Sequence, residues 1–196
     1  RFNEYWRHYH ALTERRGVTP DAAKALLRSR TTLIAAIMVD RGEADALITG
    51  LVGRFHKKLG YIRSVFPLDP GVQSTSAMTG VVNDRGLWFF VDTHVQPDPT
   101  PEQIAESTIQ AAYRLKLFGI EPKIALMSHS NFGSHDDPSA RKMRQVREIL
   151  SRRAPKLEFD GEMQGDTAWD DGLRRRIFPN TTLEGRANLF VMPNLD

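Results

Sequence analysis

None of the 196 positions holds a cysteine. Disulfide staples and thiolate metal sites are therefore excluded, and the composition fits a chain kept in a reducing cytoplasm. No apolar run is long enough to cross a bilayer, so a membrane is not an expected partner. An excess of one charge is missing as well: 27 basic and 24 acidic residues leave a net charge of only +3. Non-specific nucleic-acid binding draws on a stronger basic excess gathered on one face, so nucleic acid is not an expected partner either. There is no G-x-S-x-G elbow, no P-loop and no Rossmann glycine fingerprint, which argues against those hydrolase, NTPase and dinucleotide sites. Internal repeats and low-complexity tracts are also absent.

What remains is an ordinary globular composition, 40% hydrophobic and 26% charged, in a chain long enough for one large α/β domain or two small lobes. The opening RFNEYWRHYHALTERRG reads as helix, with Phe2, Tyr5, Tyr9 and Leu12 at three- and four-residue spacing. It begins at Arg1, and the final ANLFVMPNLD stops just after a strand pattern. Both ends read as cut from something longer. After Gly17, Thr19-Pro20-Asp21 starts a second helix toward Ser29. Residues 32–42 read as a short buried helix, 45–49 as a strand and 53–66 as a basic amphipathic helix with Phe55, Leu59 and Ile62 inward. The segment PLDPG at 67–71 is the expected internal boundary.

Beyond that boundary the pattern alternates. Strands are expected over 74–82 and 86–95, joined as a hairpin by Asn83-Asp84-Arg85-Gly86. Thr100-Pro101-Glu102-Gln103 is a capping box. Its helix shows Ile104, Thr108, Ala112, Leu115 and Phe118 on one face and ends at Gly119. Strand 123–127, helix 138–153, strand 157–160, helix 167–177 and strand 187–192 follow. This order predicts an α/β fold with a mostly parallel sheet and helices on both faces.

The stretch IALMSHSNFGS at 124–134 holds the most chemistry. A buried strand runs into a small, polar loop and then a helix, the place where α/β sheets present backbone N–H groups to ligands. Ser128, Ser130, Asn131, Gly133 and Ser134 are the candidate ligand contacts; a loop that merely caps the next helix is equally compatible with the composition. One of Asp136 and Asp137 is expected as N-cap, and a carboxylate there disfavours a bound phosphate at the same helix end. Arg54, Lys57, Lys58 and Arg63 form a second candidate group, for phosphates of a nucleotide-like ligand or for an acidic partner; a solvated helix face is the simpler reading. Asp160, Glu162 and Asp166 are close enough in sequence for a weak metal or acid/base site, but Glu162 and Asp166 are equally expected to cap the helix from Thr167. His8 and His10 point to different faces of one helix, and His129 and His135 flank the glycine loop.

Several motifs together resemble a known family. IMVDRGEADALITG at 37–50, VDTHVQPDPTPEQIAE at 91–106, SHSNFGS at 128–134, DGEMQGD at 160–166 and ANLFVMPNLD at 187–196 follow one another as in the phosphate acetyltransferase/butyryltransferase family. The match looks closest to the phosphotransacetylase-like C-terminal domain of hybrid NADP-dependent malic enzymes, and it covers essentially the whole chain. The resemblance implies a two-lobed phosphotransacetylase-like (isocitrate/isopropylmalate-dehydrogenase-like) fold. Residues 1–69 would belong to the first α/β lobe, lacking its N-terminal part, and 70–196 to the second, lacking its C-terminal part.

Active members move an acetyl group between coenzyme A and phosphate. The resemblance places a phosphate-binding arginine where this chain has Gly60, small hydroxyl residues where it has Arg54-Phe55-His56-Lys57, and a lysine where it has Phe132. A missing guanidinium removes the planar fork that grips phosphate, and lysine is no equivalent. Arg63 lies one helical turn from Gly60. The family's C-terminal serine–arginine element would lie beyond Asp196. No residue is therefore assigned a catalytic role or a metal.

The resemblance implies a regulatory and oligomerisation domain that binds acetyl-CoA as an allosteric inhibitor, with Ser128, Ser130, Asn131, Gly133, Ser134, Arg54, Lys57 and Arg63 as contacts. The expected partners are acetyl-CoA, the protein's own malic-enzyme domain and further copies in a homodimer or higher oligomer. NADP and Mg2+ or Mn2+ would belong only to the parent's upstream domain. The alternatives are an active phosphate acetyl- or butyryltransferase and a purely structural dimerisation module.

Overall fold

The computed structural model describes residues 1–196. Contacts divide the chain into two compact units, Arg1–Gly71 and Val72–Asp196.

The first unit is helical: α1 (Phe2–Thr13), α2 (Pro20–Ser29), α3 (Thr31–Asp40) and α4 (Phe55–Val65). A short 3-10 turn, Glu14–Arg16, follows α1, and Gly17 then takes the left-handed conformation at φ 82°. Thr19 caps α2 by accepting from Ala22 N, with Pro20 at the first helical position. Tyr5 and Tyr9 of α1 pack with Ala23, Leu27, Leu33, Ala36, Ile37 and Val65; Phe2 and Leu12, read as part of the same stripe, are exposed.

The strand expected over 45–49 does not form. Those residues are irregular, and Ile48, Leu51 and Val52 stand in solvent. The unit contains no strand with which such a segment would pair, and an isolated strand leaves its backbone groups without partners. Phe55 is likewise exposed, not inward, while Leu59 and Ile62 are half-buried.

The second unit holds β1 (Met78–Asn83), β2 (Gly86–Val91), α5 (Pro101–Leu117), β3 (Lys123–Met127), α6 (Pro138–Arg153), β4 (Glu158–Met163), α7 (Gly165–Trp169), α8 (Asp171–Ile177) and β5 (Leu189–Val191). The sheet order is β1-β2-β5-β3-β4, parallel except for the β1–β2 hairpin. Strand alternation sorts its two faces. Phe89, Val91, Ile124, Leu126, Leu189 and Val191 pack with α5 and α6, while Trp88, Ala125 and Phe190 pack with Ala168 of α7 and with Leu183. The expected mostly parallel α/β architecture with helices on both faces is present.

Where bounds differ from expectation, side chains supply the reason. The hairpin strands are shorter because Asp92 accepts from Ala77, His94, Val95 and Gln96 N–H groups, drawing both flanks out of the ladder. The helix expected over 167–177 is broken at Asp170, whose backbone is extended and whose side chain caps α8 through Leu173 N at 3.0 Å. The capping box of α5 forms, with Gln103 N on Thr100 Oγ1 and Thr100 N on Gln103 Oε1. Phe118, read as the last inward residue of that helix, is 70% exposed because it lies past the final turn.

Candidate functional site

β3 delivers its C-terminal end to the loop 128–137, and neighbouring β4 delivers Glu162 into the middle of that loop. Glu162 is 1% exposed. Its Oε1 accepts from Gly133 N at 2.8 Å, Ser130 Oγ at 2.9 Å and Arg144 Nη1 at 3.1 Å. Phe132 N donates to the Glu162 carbonyl at 2.8 Å. The loop is therefore wrapped on a buried carboxylate, and Glu162 is not the helix cap that its sequence position suggests. Asp160, equally buried, serves different partners: Gly161 N, Thr181 Oγ1, Thr182 N and Arg147. Asp166 accepts from its neighbour Thr167. The three carboxylates of 160–166 thus make separate local contacts.

The remaining loop polar groups are also used inside the loop and its neighbours. Ser128 Oγ accepts from Ser130 N, and Ser134 Oγ accepts from Asn131 N. The Asn131 amide exchanges hydrogen bonds with Gln164. Ser130 is fully buried, whereas Gly133 and Ser134 are exposed. Ser128, Ser130, Asn131, Gly133 and Ser134 are brought together on one preorganised loop, with Gly133 and Ser134 at its solvent side.

Asp137 is the N-cap of α6: its Oδ1 accepts from Ser139 N and Ala140 N. Burial raises the Asp137 carboxyl, but those N–H groups and the nearby His129 and His135 outweigh it and hold it below the usual range. Asp136 stays outside the cap and pairs with Arg141 and Arg144. The hydrogen bond from Arg141 is the main reason its carboxyl is held low. Arg144 thereby links Asp136 to buried Glu162.

In the first unit, Arg54 and Lys57 line a cavity of about 250 Å³ together with Ser29, Arg30, Thr31, Thr32, Lys58 and Tyr61. Arg30 is the N-cap of α3 and Arg54 the N-cap of α4, and neither cap side chain makes a capping hydrogen bond. Two helix N-termini and four cationic side chains therefore meet at one cavity, an arrangement suited to an anionic group. Arg63 is exposed on α4 and lies outside that lining. The hydroxyl-rich Ser29-Arg30-Thr31-Thr32 run was the overlooked signal.

The histidines divide as their spacing suggests. His8 pairs with Asp40 at 2.6 Å, and His10 lies 3.8 Å from Glu14. His129 and His135 instead approach each other, with ring centroids 5.3 Å apart and Asp137 beside them.

Residues 1–196 match the model of the phosphate acetyl/butaryl transferase family. The chain belongs to that family. It is 47% identical over its whole length to the NADP-dependent malic enzyme of Escherichia coli (strain K12), and 47% identical to the NAD-dependent malic enzyme of Rhizobium meliloti (strain 1021). It spans about a quarter (26%) of the length of each of those relatives. A phosphotransacetylase from Streptococcus pyogenes has the same fold, with a TM-score of 0.86 at 29% identity, covering 97% of this chain and 59% of that one. This chain therefore corresponds to the phosphate acetyltransferase-like part of malic enzymes.

Against that family background Phe132 acquires structural meaning. Its ring stacks on Phe178 with centroids 4.5 Å apart, and its backbone is left-handed at φ 47°. A packed aromatic, not a cation, occupies this point of the loop. At Gly60 there is no side chain at all.

Proposed function

We propose that this chain is the regulatory and oligomerisation domain of an NADP-dependent malic enzyme, which oxidatively decarboxylates malate to pyruvate and CO2. In this reading it binds acetyl-CoA as an allosteric inhibitor and does not catalyse acetyl transfer to phosphate. NADP and Mg2+ or Mn2+ would be held by the malic-enzyme domain of the parent, and no residue of this chain is assigned to them. The NAD-dependent relative leaves NADP as the choice to be tested first.

The observation that carries the reading is the cationic cavity at the starts of α3 and α4. Arg30, Arg54, Lys57 and Lys58 supply charge for the phosphates of a coenzyme A ester. The planar, bidentate recognition that inorganic phosphate favours has no guanidinium at Gly60, and Phe132 brings no cation to the loop. Transfer needs acetyl-CoA and phosphate oriented together; regulation needs only that acetyl-CoA favour one state of the assembly.

A thermal-shift series with acetyl-CoA tests binding. A specific ligand at ~100 times its dissociation constant stabilises by ~2.7 kcal/mol, and Arg54→Ala with Lys57→Ala should remove that gain. No shift in the parent protein would favour the purely structural module. Release of coenzyme A from acetyl-CoA and phosphate at ordinary enzymatic rates would instead establish an active transferase.

A further inference from the structure

We propose that His129, His135 and Asp137 form a binding site for a divalent transition metal of the zinc class. The site is independent of the acetyl-CoA reading. One ligand atom from each residue lies within 4.8 Å of the others. Two imidazoles and one carboxylate are the donor set that suits Zn2+, Co2+ or Ni2+; Mg2+ and Ca2+ prefer oxygen throughout.

Capping and metal ligation would fall to different oxygens of Asp137. The capping work belongs to Asp137 Oδ1, which accepts from Ser139 N and Ala140 N. The second oxygen, Oδ2, is buried and faces the histidines, with His129 Nε2 in ion-pair contact at 2.7 Å. A metal ion seated between that oxygen and the two imidazoles would take the place of the His129 contact. The cap also fixes the carboxylate plane, as an outer-shell partner does for a metal ligand.

The two imidazoles are exposed. Small side-chain rotations would let them close on an ion bonded at the ~2.0–2.1 Å usual for zinc and imidazole. Three protein ligands leave a fourth position for water or another donor. His129 and His135 bracket residues 130–134, so a bound ion would tie the two ends of that loop to the first turn of α6. The metal would act as a clamp on the loop that Glu162 supports from beneath.

The test is calorimetric titration of the chelator-treated protein with Zn2+, paired with visible ligand-field absorption on adding Co2+. His129→Gln and His135→Gln alter exposed side chains, and Asp137→Asn keeps a capping oxygen while removing the carboxylate charge. The expected result is one ion per chain, unaffected by millimolar Mg2+. Each substitution should weaken it by roughly 100-fold or more, beyond the 10–100-fold typical of outer-shell partners, and should abolish the Co2+ spectrum. Absence of Zn2+ binding at micromolar concentrations, or binding that His135→Gln leaves unchanged, would overturn the site.

Discussion

The backbone N–H of Gly133 donates to the buried carboxylate of Glu162 at 2.8 Å, joining the tip of the β3–α6 loop to the end of β4. The same oxygen takes Ser130 Oγ and Arg144 Nη1. Removing one partner from a buried network leaves the others unsatisfied, which costs more than the contact itself was worth. Glu162→Ala should therefore lower stability by about 3 kcal/mol in urea unfolding. Amide exchange should accelerate across 130–135 before it does in the sheet. Uniform acceleration across the whole unit would count against a local role for Glu162.

Gly161 is needed beside it. Its φ is +138°, and an added Cβ would lie 2.6 Å from Leu126 O and 2.8 Å from Leu126 Cβ, on the paired strand β3. Gly161→Ala should cost about 3 kcal/mol, from overpacking and backbone strain together. Gly133→Ala is the control: its φ is +87° but nothing lies within 4 Å of the added atom, so only about 1–2 kcal/mol of conformational cost is expected. Equal melting temperatures for the two variants would contradict the steric account.

Arg174 is 0% exposed and holds the chain around α7 and α8 together. It donates to the Thr167, Leu183 and Gly185 carbonyls and to Asp171. Arg174→Met fits apolar volume but strands those carbonyls, and a loss of about 3–5 kcal/mol is expected. A melting temperature within a degree or two of wild type would show that water satisfies them instead.

Acid should weaken the same corner. The hydrogen bond from Arg175 is the main reason the Asp171 carboxyl is held below its usual range, against the opposing effect of burial. A depressed folded value means the stabilisation is complete above the unfolded Asp value of about 3.9. It is lost as pH falls through the lower folded value. Wild type and Arg175→Gln should therefore differ in melting temperature at pH 6 and converge once the pH has fallen below the depressed folded value of Asp171. A gap that persists at low pH would mean Arg175 acts through packing, not through this carboxylate.

Much of the second unit was legible because its signals are local. The Thr100/Gln103 capping box, the Asn83–Gly86 turn and the buried IALM strand each involve residues a few positions apart. The 45–49 segment was misread because its apolar run looks strand-like, yet a strand exists only if another lies beside it. The break at Asp170 was missed because an aspartate within a helical pattern caps only if its backbone is extended. The polar residues of SHSNFGS were legible as one group on one loop. Their support by Glu162 was not, since the partners are 29 and 32 positions apart.

By itself the sequence determined the alternation of elements, the mostly parallel sheet and membership of the family, since periodicity, turn chemistry and motif order are properties of neighbours along the chain. Only the tertiary structure decided which carboxylates are buried and what they bind. It brought Arg30 to Arg54 and Lys57 at one cavity, and His129 and His135 to Asp137. The reason is physical: the charge of a side chain is written in the sequence, but its desolvation and its donors come from whatever the fold packs against it.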